Sequence, residues 1–468
     1  MQALDLILER FDQISAVPRG TKQEARIREW LQGWARDHGF TSRTDAVGNL
    51  VIQIPASPGY EDRAPVVLQG HMDMVWQKTS DSDHDFTRDP IRVIRDGEWL
   101  KADRTTLGAD NGIAIAIMLA LAEEPAGPHP PLEFLLTVEE EVGGTGCYEI
   151  DPGIISGKIL VNLDSEEDGV FTVGCAGSCT LFIHLPAAWE AADAGSEFIY
   201  LRVEGLQGGH SGGDIHKHRA NANKLIGRAL AHVRAEAPIR LSALRGGTVR
   251  NAIPRDAESI FAIPGGTGTM CRESLRAFEQ ALMDEYASTE HGLRLRVEGA
   301  KPPGTVLTEQ DTDRVIRLLR ALPNGVHEMS TEMEGYVETS NNVGIIELRQ
   351  DGFHVTSSQR SAVASRLEEI ISRVEAIAQL AGAGTRRNRV TLPWRPRWDS
   401  PLLKKSVEVY QRQFGKEPLV EMTHGGLECG VLSTRCGGLD AISLGPTILD
   451  AHSPDERLHV PSVERTWR

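Results

Sequence analysis

The sequence predicts an α/β catalytic domain built on a mostly parallel sheet, interrupted by an inserted α+β lid domain. Three observations carry that reading. Short continuous apolar runs alternate with helical patterns over the first third of the chain, the texture then turns to mixed β and α segments, and the α/β texture resumes near the end.

Each element follows from its local pattern. MQALDLILERFDQI sets Leu4, Ile7, Leu8 and Phe11 at helical spacing with charges interspersed, which is an amphipathic helix and not a signal peptide. Thr21 with Glu24 three residues on predicts a capping box, opening a helix whose apolar stripe is Ile27, Leu31 and Trp34. APVVLQG (64–70), PLEFLLTV (131–138) and KILVNL (158–163) read as buried strands, and GIAIAIMLALAEE (112–124) as a strongly apolar helix. AAWEAADAGSE, around 186–197, reads as a linker. The insert then offers FIYLRVEG (198–205), a helix carrying Leu225, Ile226, Ala229, Leu230 and Val233, and strand-like segments near 239–263. A helix over 273–287, the strand LRLRVEG (293–299) and a helix near 311–321 follow. NVGIIELRQDGFHVTSS fits a hairpin turning at Asp351-Gly352, and a helix over 362–381 closes the region. VTLPWRPRWDSP (390–401) is the return linker, leading to a helix at 401–414 and the strand LDAISLGP. The expected domains are catalytic, 1–187 and 393–468, with the lid at 188–392.

Bulk properties narrow the function. A chain of 468 residues suits roughly two or three domains with a large core. A formal charge of −16 excludes a nucleic-acid partner, because a phosphate backbone needs a basic face. No apolar run reaches membrane-spanning length. Six scattered cysteines without an export signal predict reduced thiols and a cytoplasmic location. Cys175 and Cys179 have a zinc-finger-like separation, but no second pair accompanies them, so buried thiols are expected.

Chemistry concentrates at the ends of the predicted strands. His71 and Asp73 follow APVVLQG, Glu139, Glu140 and Glu141 follow PLEFLLTV, Asp164 follows KILVNL, and His452 comes shortly after LDAISLGP. Asp110 precedes the apolar helix, where amide dipoles favour a carboxylate. In open α/β sheets ligands gather outside the carboxyl ends of the strands. Any one of these residues could be a solvated strand-end group; five in one topological position predict a site. Three carboxylates with two imidazoles suit a pair of zinc-like divalent ions better than one. Asp73, two residues from His71 on an extended segment, can accept the imidazole's second N–H and set its tautomer. A general base beside a metal ligand is what hydrolysis by an activated water requires.

These residues carry a family resemblance. HMDMVWQK, TLGADNG, the Glu-Glu-Val-Gly of TVEEEVGG, NLDSEEDG, GGHSGG, RNAIPR, ETSNNVG, HGGLECG and GPTILDAHSPDE resemble the aminoacyl-histidine dipeptidases, over nearly the whole chain and in order. Those enzymes are a branch of the di-zinc peptidase clan that includes carnosinases, carboxypeptidase G and aminoacylase. The resemblance implies a di-zinc exopeptidase-like catalytic domain. It implies that Asp110 bridges two metal ions, with His71 and Asp164 completing one site and Glu141 and His452 the other. The ions would be zinc, with manganese or cobalt as alternatives. Three carboxylates against two divalent ions leave net positive charge, enough to hold a hydroxide at neutral pH. Glu140 would be the general base, with Asp73 keeping its place behind the His71 imidazole. On the lid, His210 would polarise the scissile carbonyl with Asn251 nearby, and Arg360 would grip the substrate carboxylate. Gly425, Gly426 and Glu428 lie in the substrate-facing segment.

The implied activity is hydrolysis of small unblocked dipeptides, Xaa-His types such as carnosine among them. The alternatives are an amidohydrolase of N-acyl amino acids and a non-catalytic metal-binding homologue. Gly209-His210-Ser211-Gly212-Gly213 also matches a serine nucleophile elbow, but Asp450 and His452 are too close in sequence to serve as separate triad arms. His84, His129, His216, His218 and His424 have no clear ligand partner. Relatives with small lids take the lid histidine from a dimer partner, so a homodimer is among the arrangements implied. Two departures from the family stand out: Ala102-Asp103-Arg104 replaces a usual glycine ahead of TLGADNG, and the chain ends at ERTWR, where relatives continue into a final helix.

Overall fold

The apolar run around 113–120 organises the first half of the molecule. In the computed structural model, which describes residues 3–468, Ile113 to Ala120 lie inside the helix Ala109–Glu123 and are buried on every side. A helix apolar all round has to be covered all round. The amphipathic helix Ala3–Ser15 supplies part of that cover through Leu6, Ile7, Phe11 and Ile14. The chain divides into two units: Met1–Cys175 with Trp394–Met422 and Leu427–Arg468, and Ala176–Pro393 with Thr423–Gly426.

The first unit is built on an eight-stranded mixed sheet. At its centre Leu132–Thr137, Val66–His71, Ile159–Asn162 and Asp440–Ser443 run parallel. Antiparallel strands flank them, Leu50–Ile54 and Thr41–Thr44 on one side and Val170–Cys175 on the other. His71 pairs in register with Thr137, and Gln69 with Asn162. The carboxyl ends of three neighbouring strands therefore finish at one edge of the sheet, where the polar residues begin. The segment Val460–Trp467 is helical, with Val460 and Val463 buried. Among the described residues no helix is long and apolar enough to cross a membrane.

The second unit is a largely antiparallel sheet whose strands share one core with the helices Ala222–Glu236, Gly268–Glu285, Glu309–Ala321 and Ala364–Leu380. Its first boundary lies at 175/176 rather than at the composition change near 187. The strand Gly177–Pro186 pairs with Gly352–Ser361 along its whole length, and Trp189–Ala191 pairs with Thr305–Leu307. The presumed linker is thus structured, because its hydrogen-bond partners come from more than a hundred residues downstream. The return boundary is at 393/394. The hairpin turns one residue earlier than its sequence suggests: Arg349 pairs with Gly352, leaving Gln350-Asp351 as the connection. Gly352 holds φ 137, a conformation that favours glycine.

The capping box is not formed. Glu24 has helical backbone angles and no side-chain cap, and the helix Ala25–Asp37 starts after it. Its carboxylate accepts instead from Lys22 N (2.9 Å) and Glu139 N (3.1 Å), while Thr21 Oγ1 donates to Asp73 Oδ2 (2.9 Å). Tertiary partners have displaced the local ones.

The short helix Thr145–Tyr148 closes the acidic loop after Leu132–Thr137 and sits tightly against it. A Cβ on Gly146 would lie 2.5 Å from Val138 O and 2.6 Å from Asn49 Oδ1. Gly146→Ala is expected to destabilise the protein by about 1–3 kcal/mol through overpacking against backbone. Urea denaturation checks this as a lowered midpoint at constant slope.

Candidate active site

The edge of the first unit's sheet gathers two imidazoles and several carboxylates. His71 ends a parallel strand and is 1 % exposed. Its Nδ1 lies 3.1 Å from Asp73 O, and 3.4 Å from Asp73 Oδ1. Donation from Nδ1 to the carbonyl orients the ring, so that Nε2 would turn its lone pair to an ion once one is bound. That Nε2 is 3.0 Å from Asp110 Oδ1 and 3.3 Å from Asp164 Oδ1. On the other side, His452 Nε2 is 3.0 Å from Asp110 Oδ2 and 3.0 Å from Glu141 Oε2. Asp110 thus faces one oxygen toward His71 and Asp164, and its other oxygen toward His452 and Glu141. Ligands about 2.0 Å from a tetrahedral ion are about 3.3 Å from one another, which these separations match.

Local backbone serves this placement at some cost. Asp110 and Asn111 depart from helical angles within Ala109–Glu123, so the carboxylate stands ahead of the regular helix. Asn111 accepts from His71 N (3.2 Å) and donates to Leu163 O (3.0 Å), tying the two neighbouring strands together. Glu139 and His452 hold φ of 54 and 63, a left-handed conformation that costs a non-glycine residue on the order of 1 kcal/mol or more. Arg104, in the segment where the family usually carries a glycine, also holds positive φ, at 61.

The residues fit a pair of cations. Burial raises the carboxyls of Glu140, Glu141 and Asp164, and neighbouring carboxylates add to the rise. Burial likewise pushes Glu166 up to about 8 and Glu456 up to about 7. Asp110 is held well below the carboxylate range despite burial, by its bonds to His452 and His71. Those same bonds push His452 up to about 11, led by the one to Asp110, and burial of His71 is outweighed by Asp164, Asp110 and Asp73. Glu141 Oε1 is buried with no hydrogen-bond partner. A buried cluster with this excess of negative charge needs positive charge, and its mixed oxygen and nitrogen donors suit a zinc-like ion.

A supporting layer lies beneath. Asp73, 0 % exposed, accepts from Glu140 N at Oδ1 (3.1 Å) and from Glu141 N and Thr21 Oγ1 at Oδ2 (3.3 and 2.9 Å). Its carboxylate therefore holds the loop that carries Glu140, while its carbonyl receives the imidazole. Glu456 does the same for Asp110, accepting from Leu107 N (2.8 Å), Gly108 N (3.0 Å) and Asp110 N (3.3 Å). Arg19, 1 % exposed, donates to Met72 O, Asp73 O and Gly108 O and faces the acidic cluster as a buried cation. A Cβ on Gly112 would meet its guanidinium at 2.5 Å. Arg19, Thr21, Glu24 and Glu456 were missed from sequence. The SPDE of the last motif contains Glu456, but nothing local marks residues whose partners lie from about fifty to about 350 positions away.

Glu428 was expected to face substrate but is 3 % exposed. Its Oε2 accepts from Gln69 Nε2 (2.7 Å) and Thr137 Oγ1 (2.6 Å), and burial pushes its carboxyl up to about 7. It belongs to the first unit, whereas Gly425 belongs to the second.

In the second unit, His210 is exposed and its Nδ1 accepts from Gly212 N (3.3 Å) and Gly213 N (3.0 Å). Two N–H donors on Nδ1 leave the proton on Nε2, which makes that edge a donor. Ser211 N donates to Asn251 O (2.8 Å), bringing Asn251 beside the same turn. Ser211 itself is 1 % exposed, unlike an elbow serine presented to substrate. Arg360 Nη1 donates to His424 O (3.3 Å), and a Cβ on Gly212 would meet His424 O, His210 and Arg360 together. His424 is buried with Nε2 on Ser340 Oγ (2.8 Å); burial, with Arg360 nearby, lowers it to about 3.

A mixed α/β sheet whose carboxyl edge carries this donor set suits a metal-dependent hydrolase, and its similarity to known enzymes makes it a metallopeptidase, a hydrolase of peptide bonds. The chain belongs to peptidase family M20/M25/M40, whose model matches residues 67–468. It is 41 % identical over 457 residues to the cytosol non-specific dipeptidase of Escherichia coli (strain K12), covering 98 % of this chain and 94 % of that protein. The crystal structure of aminoacylhistidine dipeptidase from Vibrio alginolyticus superposes with a TM-score of 0.83 at 40 % identity, over 98 % of this chain and 94 % of that one. Human carnosine dipeptidase 1 shares the fold, with a TM-score of 0.53 at 10 % identity, over 99 % and 94 % of the two chains.

Two outcomes follow for the site. Glu456→Gln, which replaces one accepting oxygen by an N–H donor facing backbone N–H groups, should cut metal affinity by about 10–100-fold. Competition with a chelator measures it. In protein stripped of metal, Glu166, Glu456 and His452 have raised folded values, so their stabilisation is full below their ordinary values and lost as pH rises through the folded ones. The melting temperature of stripped protein should therefore fall between about pH 5 and 8. The gain on adding zinc should be larger at pH 8 than at pH 6, as differential scanning fluorimetry would show.

Proposed function

We propose that this protein is a dipeptidase acting on small unblocked dipeptides, Xaa-His types among them, with two divalent ions of the zinc type. The observation that carries the reading is the division of Asp110, one oxygen toward His71 and Asp164 and the other toward His452 and Glu141. His71, Asp110 and Asp164 would hold one ion, and Asp110, Glu141 and His452 the other. When bound, the ions supply Lewis acidity to the scissile carbonyl and the attacking water.

The remaining chemistry falls to the chain's own groups. Glu140 lies beside these ligands, grouped with His71 and Glu141, and its backbone N–H is held by Asp73. Burial raises its carboxyl, so it is suited to take a proton from water and return it to the departing amine. His210, with its proton on Nε2, would donate to the oxyanion that develops on the carbonyl, and Asn251 stands at the same turn. Arg360 would receive the substrate's carboxylate. Similarity to a cytosol dipeptidase supports a cytoplasmic location.

Glu140→Gln should lower kcat by about 10²–10⁴-fold with unchanged metal content, since it removes proton transfer and no ligand. Turnover close to wild type would remove Glu140 from the mechanism. Chelation should abolish activity, and zinc, manganese or cobalt should restore it. A panel of Xaa-His dipeptides, other dipeptides and N-acyl amino acids sets the substrate class; preference for the acylated compounds would replace the dipeptidase reading with an amidohydrolase.

A further inference from the structure

Away from the acidic edge, the second unit brings two more imidazoles and a carboxylate together. His184 on Gly177–Pro186 and His354 on Gly352–Ser361 are directly paired across antiparallel strands. Their neighbours Ile183, Leu185, Phe353 and Val355 turn into the core, so by strand alternation both histidines stand on the opposite, solvent-facing side. Their rings stack with centroids 4.6 Å apart. Asp351, from the two-residue hairpin connection, closes the group. His354 Nε2 is 2.9 Å from Asp351 Oδ1, and His184 Nε2 is 3.7 Å from Asp351 Oδ2 and 3.1 Å from its carbonyl.

We propose that His184, Asp351 and His354 form a further divalent-cation site, distinct from the acidic edge of the first unit. Three ligand atoms, one from each residue, lie within 4.8 Å of one another, against about 3.3 Å along the edges of a tetrahedral zinc site. Small rotamer adjustments close that difference, because the side chains are partly exposed, at 42 %, 62 % and 26 %. On its other flank His184 pairs with Gly384, whose missing side chain leaves open space there. Two imidazoles with one carboxylate select zinc, or cobalt, nickel or copper, over magnesium or calcium. Bound there, the ion would join the hairpin connection to the adjacent strand, with solvent completing its coordination.

The test uses the full chain with its catalytic sites saturated. Equilibrium dialysis against zinc should give one more equivalent per chain in wild type than in the double variant His184→Ala/His354→Ala, with unchanged kcat/KM. Visible absorption on cobalt addition should show the same one-equivalent difference. His354→Gln, which keeps a polar side chain of similar size, serves as the second variant and should also lose that equivalent. Equal stoichiometry in wild type and His354→Gln would overturn the proposal, as would an extra equivalent that persists in the double variant. Loss of metal from the acidic edge, read through Glu141→Gln, leaves this equivalent in place and so separates the two sites.

Discussion

Everything at the carboxyl edge of the first sheet depends on one carboxylate with two faces. Asp110 offers each oxygen to a different imidazole at 3.0 Å, and each imidazole has a second carboxylate beside it. So much buried negative charge would push the chain apart if left alone, and the raised carboxyls around it record that tension. Positive charge resolves it. The arrangement is built for cations, and chemistry on a peptide bond follows from having them beside a spare carboxylate.

The scaffold divides the labour between carbonyls and carboxylates. Asp73 uses its carbonyl for His71 and its carboxylate for the backbone of Glu140 and Glu141, so one residue couples a ligand to the base. Glu456 grips the loop ahead of Asp110 in the same way, and Arg19 binds the carbonyls behind both. These bonds run to backbone groups and so position whole segments, which is how a site gains precision from parts that never touch substrate.

Much of the site was legible from pattern. Apolar runs ending in His71, Glu141 and Asp164 announce parallel strands, and parallel strands place their ends at one edge. The failures share a cause. Thr21 and Glu24 have the spacing of a capping box, yet their side chains bond Asp73 and Glu139 instead. The segment after 186 has linker composition but pairs as strand with Thr305–Leu307. Glu428, in a motif that reads as substrate-facing, is buried on Gln69 and Thr137. In each case partners distant in the chain decided the outcome, and for the capping box the local preference they outcompeted is worth only about 1 kcal/mol.

By itself the sequence determined the mostly parallel α/β core, the α+β insert and the short list of chemically able residues, because periodicity and strand-end position are local properties. Only the tertiary structure decided which oxygen of Asp110 faces which imidazole, that Glu456 and Arg19 stand behind them, and that His184 meets His354 across a strand pair. Those facts depend on register and on contacts between segments far apart in the chain, and no local pattern encodes either.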